Sequence, residues 1–273
     1  MIGDVFIVGT LAYLTSNNND SLTIINVSDI TNPVQITSFS NGSLDAAQEV
    51  VVLGDYAYTV NNANDSLTII NVSIPTSLTQ VGWFSNNTIN GADGLFISGD
   101  YAYISSGVND SFTIINVSDK TNPVQMASIS DNATTTFNGT LNGARRVFVS
   151  GDYAFVTANV NDSLTIINVS NKSNPTRINS LSHANLDNAQ KVIVSGDFAY
   201  VSTFNSRLTI LNVSTRTNIS ILTSLSNASS LDGGQTVFIS GDYAYVAAVN
   251  SDALTILNIS SGFTNGTEVH VST

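Results

Sequence analysis

No cysteine occurs in the 273-residue chain, which removes disulfides, thiolate metal sites and cysteine nucleophiles together. Histidine is nearly as scarce. His183 and His270 are the only imidazoles, so zinc and acid–base chemistry are thinly supplied. Asp, Glu, Lys and Arg together make up 10%, against about 25% in an average soluble protein. The shortage falls hardest on the bases, 8 against 20 acids, and leaves a formal net charge of -12. That balance argues against a nucleic-acid partner, whose phosphates need Lys and Arg. No apolar run reaches the ~18 residues of a membrane span, and nothing sustains a helical period. The composition speaks against most enzymes.

What is plentiful is neutral and polar: 34 Asn, 37 Ser and 29 Thr must supply most of the surface. The chain is long enough to bury a sizeable core, and it is built as a repeat. Leu22-Thr-Ile-Ile-Asn-Val-Ser28 returns, with minor changes, from Leu67, Phe112, Leu164, Leu208 and Leu254. A Gly-Asp-Tyr-Ala-Tyr element or close relative starts at Gly54, Gly99, Gly151, Gly196 and Gly241, with a degraded copy at Gly9. The glycine spacings are 45, 45, 52, 45 and 45, and the long period carries its extra residues between Asp131 and Thr140. Six copies, approximately 1–43, 44–88, 89–140, 141–185, 186–230 and 231–273, fill the chain as a single domain with no linker.

Each copy reads as four short strands. In the second, Val50–Leu53 is an apolar run, Gly54-Asp55 a tight turn in which glycine supplies positive φ, and Tyr56–Val60 the next strand. A polar turn over 61–65 leads into Leu67–Val72, and Thr79–Ser85 is fourth. Three of the four prolines, Pro33, Pro123 and Pro175, form Asn-Pro steps just before the fourth strand, where a missing N–H is tolerated. Four strands in about 45 residues is the signature of a propeller blade. The expected fold is all-β, a six-bladed β-propeller with four antiparallel strands per blade. A flat β-solenoid is the rival, but its rungs are shorter and need no Gly-Asp hairpin in each copy.

The block Asp20-Ser-Leu-Thr-Ile-Ile-Asn-Val-Ser-Asp-Ile-Thr-Asn-Pro-Val-Gln35 resembles the LVIVD-repeat proteins, whose blades carry a Leu-Val-Ile-Val-Asp-Val-Ser core followed by an Asn-Pro step. The resemblance covers all six copies. It implies a propeller, typical of surface or secreted proteins of bacteria and archaea, and implies no activity. One departure is systematic: Asn26, Asn71, Asn116, Asn168, Asn212 and Asn258 stand where that family has aspartate.

Each of these six asparagines opens an Asn-x-Ser acceptor signature for N-glycosylation. Twelve more bring the total to eighteen: Asn19, Asn41, Asn64, Asn86, Asn109, Asn132, Asn138, Asn161, Asn171, Asn218, Asn227 and Asn265. Chance gives roughly 8 at this composition. Copying of one motif inflates the excess, yet Asn132 and Asn138 lie in the unique insertion and Asn41, Asn86, Asn227 and Asn265 in poorly matched loops. Covalent N-glycans are therefore expected. They answer a physical need, because the fourth strand of each blade is an outer edge with free N–H and C=O groups. These strands carry only Arg177 and Glu268 as charges, so sugars or other copies of the protein are expected to cover them.

No signal peptide is visible ahead of the strand Val5-Phe-Ile-Val8, so the chain is expected to be mature, trimmed or part of a longer one. The final strand, Glu268–Thr273, is expected to add to a neighbouring subunit's sheet edge. Asp55, Asp100, Asp152, Asp197 and Asp242 recur as turn residues. Asp20, Asp65, Asp110 and Asp162 precede the third strand as weak calcium candidates, without an Asp-x-Asp-x-Asp ladder or trailing Glu. A ligand would best be met at the channel face by Asp45, Asp93, Arg145, Arg146, Asp187 and Asp232, with Gln48, Gln190 and Gln235. The bland alternative is that these residues orient the entering strand. Trp83 and His270 share an outward position of the fourth strand where other blades carry serine, and are candidate assembly contacts. No catalytic constellation, cofactor motif or metal set is found.

The expected role is a non-enzymatic, N-glycosylated extracellular structural protein, whose partners are copies of itself, in a surface layer, sheath or filament. The alternatives are an extracellular binding module recognising a polysaccharide or protein through the channel face, and an enzyme or cofactor-binding propeller.

Overall fold

The computed structural model describes residues 2–131 and 139–260, and 269–272 as backbone alone. These residues form a six-bladed β-propeller. Each four-stranded antiparallel blade uses four consecutive strands, so every blade is a closed stretch of sequence. Blades 1–3 lie in one compact unit, residues 1–130, and blades 4–6 in a second, residues 131–273.

The inner strands are Ile2–Val8, Ala47–Leu53 and Ala92–Ser98 in the first unit, and Ala144–Ser150, Ala189–Ser195 and Gly234–Ser240 in the second. A two-residue turn joins each to its second strand. The turn glycine holds φ between +54° and +58° in all six copies, which the first residue of a type II′ hairpin requires. In blade 2 the inner strand starts at Ala47, three residues ahead of the apolar run. The register shifts between Ala47 and Glu49. This bulge draws two polar residues into the strand, where a count of apolar residues does not find them.

The outer strands Val34–Ser40, Val124–Ser130 and Thr176–Ser182 begin one residue after Pro33, Pro123 and Pro175. The last, Val269–Ser272, pairs with Ala253–Asn258 of its own blade. One edge of this strand is thus paired within its own blade. Residues 261–268 and Thr273 lie outside the described residues.

Neighbouring blades pack through two different faces. In the first unit, Tyr13, Leu22 and Ile24 of blade 1 meet Leu44, Val50, Val52 and Ile70 of blade 2, and Tyr58, Leu67 and Ile69 meet Ile89, Leu95, Ile104 and Ile115 of blade 3. In the second unit, Phe155, Leu164 and Ile166 meet Leu186, Val192, Val201 and Leu211, and Tyr200, Leu208 and Ile210 meet Leu231, Val237, Val246 and Leu257. At each of these four joints an aromatic–Leu–Ile face of one blade thus meets an aliphatic face of the next. Burying one such side chain contributes about 1.5–3 kcal/mol.

Among the described residues, apolar side chains at two sets of repeat positions are more exposed than their counterparts. On the aliphatic face of blade 1, Val5 is 53% and Ile7 61% exposed. Val50, Leu95, Val147, Val192 and Val237, which occupy the Val5 position in the other blades, are at most 2% exposed. On the aromatic face of blade 6, Phe238 is 63% and Leu254 41% exposed, whereas Leu22, Leu67, Phe112, Leu164 and Leu208 at the Leu254 position are fully buried.

Candidate functional site

Polar side chains pin the joints between blades. At the tip of blade 1's second hairpin Asp20 holds φ +47°, and its Oδ1 accepts the Ala46 N–H of the loop entering blade 2 at 3.0 Å. Asp65 does the same for Gly91 and Asp162 for Asn188, both at 2.8 Å. Blade 5 has Ser206 there, also at positive φ, donating to Asp232 Oδ1 at 3.1 Å. Three of the sequence's calcium candidates therefore each spend a carboxylate oxygen on an amide. Among the described residues no three His, Cys, Asp or Glu gather as a metal site.

A second peg sits further out. The Asn41 amide nitrogen donates to Gln80 Oε1 at 2.6 Å, and Asn86 repeats the bond to Gln125 at 2.6 Å. Both asparagines also cap a short 3-10 turn through Oδ1. At the next repeat the pair becomes ionic: Arg177 Nη1 lies 2.8 Å from Asp131 Oδ1, both side chains almost fully buried. Burial pulls the Arg177 guanidinium below its ordinary range, and Asp131 opposes the shift.

Loop cations form a third contact. Lys120 of blade 3 stands 5.8 and 5.9 Å from the ring centres of Tyr56 and Tyr58 in blade 2. Arg216 of blade 5 lies 5.5 and 5.3 Å from Tyr153 and Phe155 in blade 4. Such stacking contributes about 0.5–2 kcal/mol. Lys120 also donates to Val117 O at 2.5 Å, and Arg216 to Val213 O. Sequence reasoning passed over these cations, although they recur at one repeat position.

The inner strands differ in charge between the units. In the first, Asp4 Oδ2 accepts from Val50 N at 3.2 Å and Glu49 Oε2 from Leu95 N at 2.6 Å, while Asp93 is buried. In the second, Arg145 Nε donates to Gln190 Oε1 at 3.0 Å, and Arg146 and Lys191 take the positions that Asp4 and Glu49 hold. Of the other channel-face candidates, Asp45 is exposed at a turn, Asp187 ends the 3-10 turn Ala184–Leu186, and Asp232 serves the Ser206 joint. His183 caps that same turn, its Nδ1 accepting from Asn185 N at 3.0 Å. Most of these groups bond to their own scaffold.

Trp83 and His270 do share a register position, facing Thr68 and Thr255. Ser38, Ser128, Ser180 and Ser224 face the matching threonines in the other blades and share a hydroxyl bond of 2.9–3.0 Å with each. Trp83 is exposed.

The six repeated sequons lie at the end of the third strand, beside the Gly-Asp turn. The residue after each asparagine donates its N–H to that turn, as in Val72 to Asp55 O at 2.8 Å. Each asparagine Oδ1 accepts the N–H of the serine two residues on at 2.8–2.9 Å. Asn132, Asn138 and Asn265 lie outside the described residues. Of the others, Asn19, Asn171 and Asn218 are exposed, and Asn109, Asn161 and Asn227 partly so. No helix among the described residues is long and apolar enough to cross a membrane.

The LVIVD repeat matches residues 1–41, 46–85, 91–131, 143–182, 187–229 and 234–262. No curated protein matches the chain. Among solved structures, a protein of unknown function from Desulfotomaculum acetoxidans superposes with a TM-score of 0.76 at 16% identity, over 99% of this chain and 89% of that one. A Lactobacillus plantarum protein does so with 0.79 at 14% identity, over 98% and 82%. The Pseudomonas aeruginosa periplasmic gluconolactonase gives 0.78 at 16% identity, over 96% and 83%. At such identities the likeness is one of fold.

Proposed function

The chain belongs to the LVIVD-repeat family, and on that premise we propose that it is a non-enzymatic, N-glycosylated extracellular structural protein. Copies of it assemble into a surface layer, sheath or filament. The observation that carries this reading is the exposure, among the described residues, of Val5 and Ile7 on blade 1 and of Phe238 and Leu254 on blade 6. Large exposed apolar patches mark interaction surfaces. These two have the makeup of faces that cover one another at every joint within a unit, so a second copy supplies the fitting partner. Joining unlike faces is a head-to-tail contact, which propagates when the rotation does not close. Near-neutral outer strands and eighteen sequons fit a particle shielded by sugar rather than by charge.

The test is the mass and appearance of the mature protein in light scattering and negative stain. Ordered multimers are expected, with Val5→Asp combined with Ile7→Asp leaving a folded monomer. A monomer without the substitutions, whether its faces close on each other or stay bare, sinks the reading. Turnover of gluconolactone sinks it too and favours the enzyme.

A further inference from the structure

The six repeated asparagines hold the chain in a turn that uses only half of the amide. Oδ1 accepts the backbone N–H two residues on, and in four copies also that serine's hydroxyl at 2.7 Å. An aspartate does this equally well here. Asp29 Oδ1 accepts from Thr31 N at 2.9 Å and Thr31 Oγ1 at 2.7 Å, and Asp119 repeats both bonds with Thr121. Those bonds hold the Asp29 and Asp119 carboxyls below their ordinary value. What asparagine adds to the turn is Nδ2. In none of Asn26, Asn71, Asn116, Asn168, Asn212 and Asn258 does Nδ2 donate a hydrogen bond to a described residue, and all six are partly exposed with an exposed serine two residues on.

Three other sequons are built the opposite way. Asn41 and Asn86 spend Nδ2 on the next blade's glutamine at 2.6 Å, and Asn64 spends it on Gly42 O at 2.8 Å. A sugar on Asn41 or Asn86 leaves Nδ2 a single hydrogen and has to fit beside the glutamine that pins a blade joint, and one on Asn64 beside the Gly42 carbonyl of the loop ahead of it.

We propose that the free Nδ2 of Asn26, Asn71, Asn116, Asn168, Asn212 and Asn258 makes these six asparagines the glycosylated set, one at the same end of each blade, and that Asn41, Asn64 and Asn86 are left bare. In the transfer, Nδ2 bonds to the anomeric carbon of a sugar diphosphate donor. The anomeric C–O bond breaks with its electron pair leaving on the diphosphate, and one Nδ2 proton passes to a base. The inference rests on the glycosylation in the function proposed above, and it adds which sites are used and why.

Site-resolved glycopeptide mass spectrometry on protein purified from its source tests it. Occupancy at the six is expected to exceed that at Asn41, Asn64 and Asn86 by at least tenfold. Similar occupancy at the two sets overturns this inference and leaves the glycosylated reading standing, whereas sugar at no sequon overturns both. A Gln80→Ala, Gln125→Ala variant made in the same host releases two of the hydrogen-bonded amides. New sugar is expected at Asn41 and Asn86, and continued absence overturns the hydrogen bond as the cause.

Discussion

The pegs between blades are where single side chains decide most. Asn41–Gln80 and Asn86–Gln125 are neutral, and Asp131–Arg177 is their ionic counterpart. A buried ion pair is weak evidence for stability, but stripping one partner leaves an uncompensated charge. Arg177→Met is therefore expected to lower the unfolding free energy by about 3–5 kcal/mol, read by urea denaturation. Asp131→Asn with Arg177→Gln, which rebuilds the neutral peg of the neighbouring blades, is expected to recover most of that loss. A double variant no better than the single one counts against the peg.

Tyrosine sets the alkaline limit at the same scale. Burial pushes the Tyr58 phenol up to about 12, helped by Tyr56 and Asp100, and raises Tyr13 and Tyr200. The folded state holds these protons more tightly than the unfolded one. Their stabilisation is complete below the ordinary tyrosine value of about 10 and is lost as pH rises through the folded values. Absorbance at 295 nm is expected to show Tyr58 ionising well above the ordinary tyrosine range and together with unfolding, near pH 12. Ionisation of every tyrosine near pH 10 with the fold intact refutes this.

Among the elements, two glycines separate two kinds of constraint. Gly54 has φ +58° and open space around the site of a Cβ, so Gly54→Ala meets only the cost of left-handed backbone, about 1–2 kcal/mol. Gly82, in the outer strand of blade 2, has ordinary φ, but a Cβ there runs into the Lys120 carbonyl of blade 3. Gly82→Ala is expected to cost about 1–3 kcal/mol through overpacking, and truncating Lys120 is not expected to relieve it, because the obstacle is backbone. Gly54→Asn is expected to be milder than Gly54→Ala, since asparagine tolerates this conformation. Denaturation midpoints of the four variants decide. The Gly54 turn was legible in sequence because it repeats. Gly82 was not, because its constraint comes from the adjacent blade.

For the molecule as a whole, the scarcity of charge predicts how assembly responds to solvent. The contacts proposed through Val5, Ile7, Phe238 and Leu254 carry no charge to screen. Multimers are expected to persist from about 0.05 to 1 M NaCl, a range over which the Debye length falls to about 3 Å. They are expected to strengthen in sulfate and weaken on cooling. Dissociation by moderate salt in light scattering places the contact among charged groups instead.

The repeat carried the architecture. Six copies of Leu-Thr-Ile-Ile-Asn-Val-Ser, a Gly-Asp turn in each and prolines before the outer strands specify blade number, strand order and hairpin geometry, because these depend on local backbone preference and on apolar runs. Other features arise between segments that lie from 26 residues apart, as in Asp20 and Ala46, to more than 60, as in Lys120 and Tyr56, and have no local signature. Asp20, Asp65 and Asp162 look like loop acids and are struts. Lys120 and Arg216 look like surface charge and cover rings of the preceding blade. Val269–Ser272, despite the broken repeat ahead of it, pairs with the third strand of its own blade. Only tertiary packing distinguishes Val5 from Val50, alike in sequence and opposite in exposure, because burial belongs to the neighbour that covers a residue and not to the residue itself.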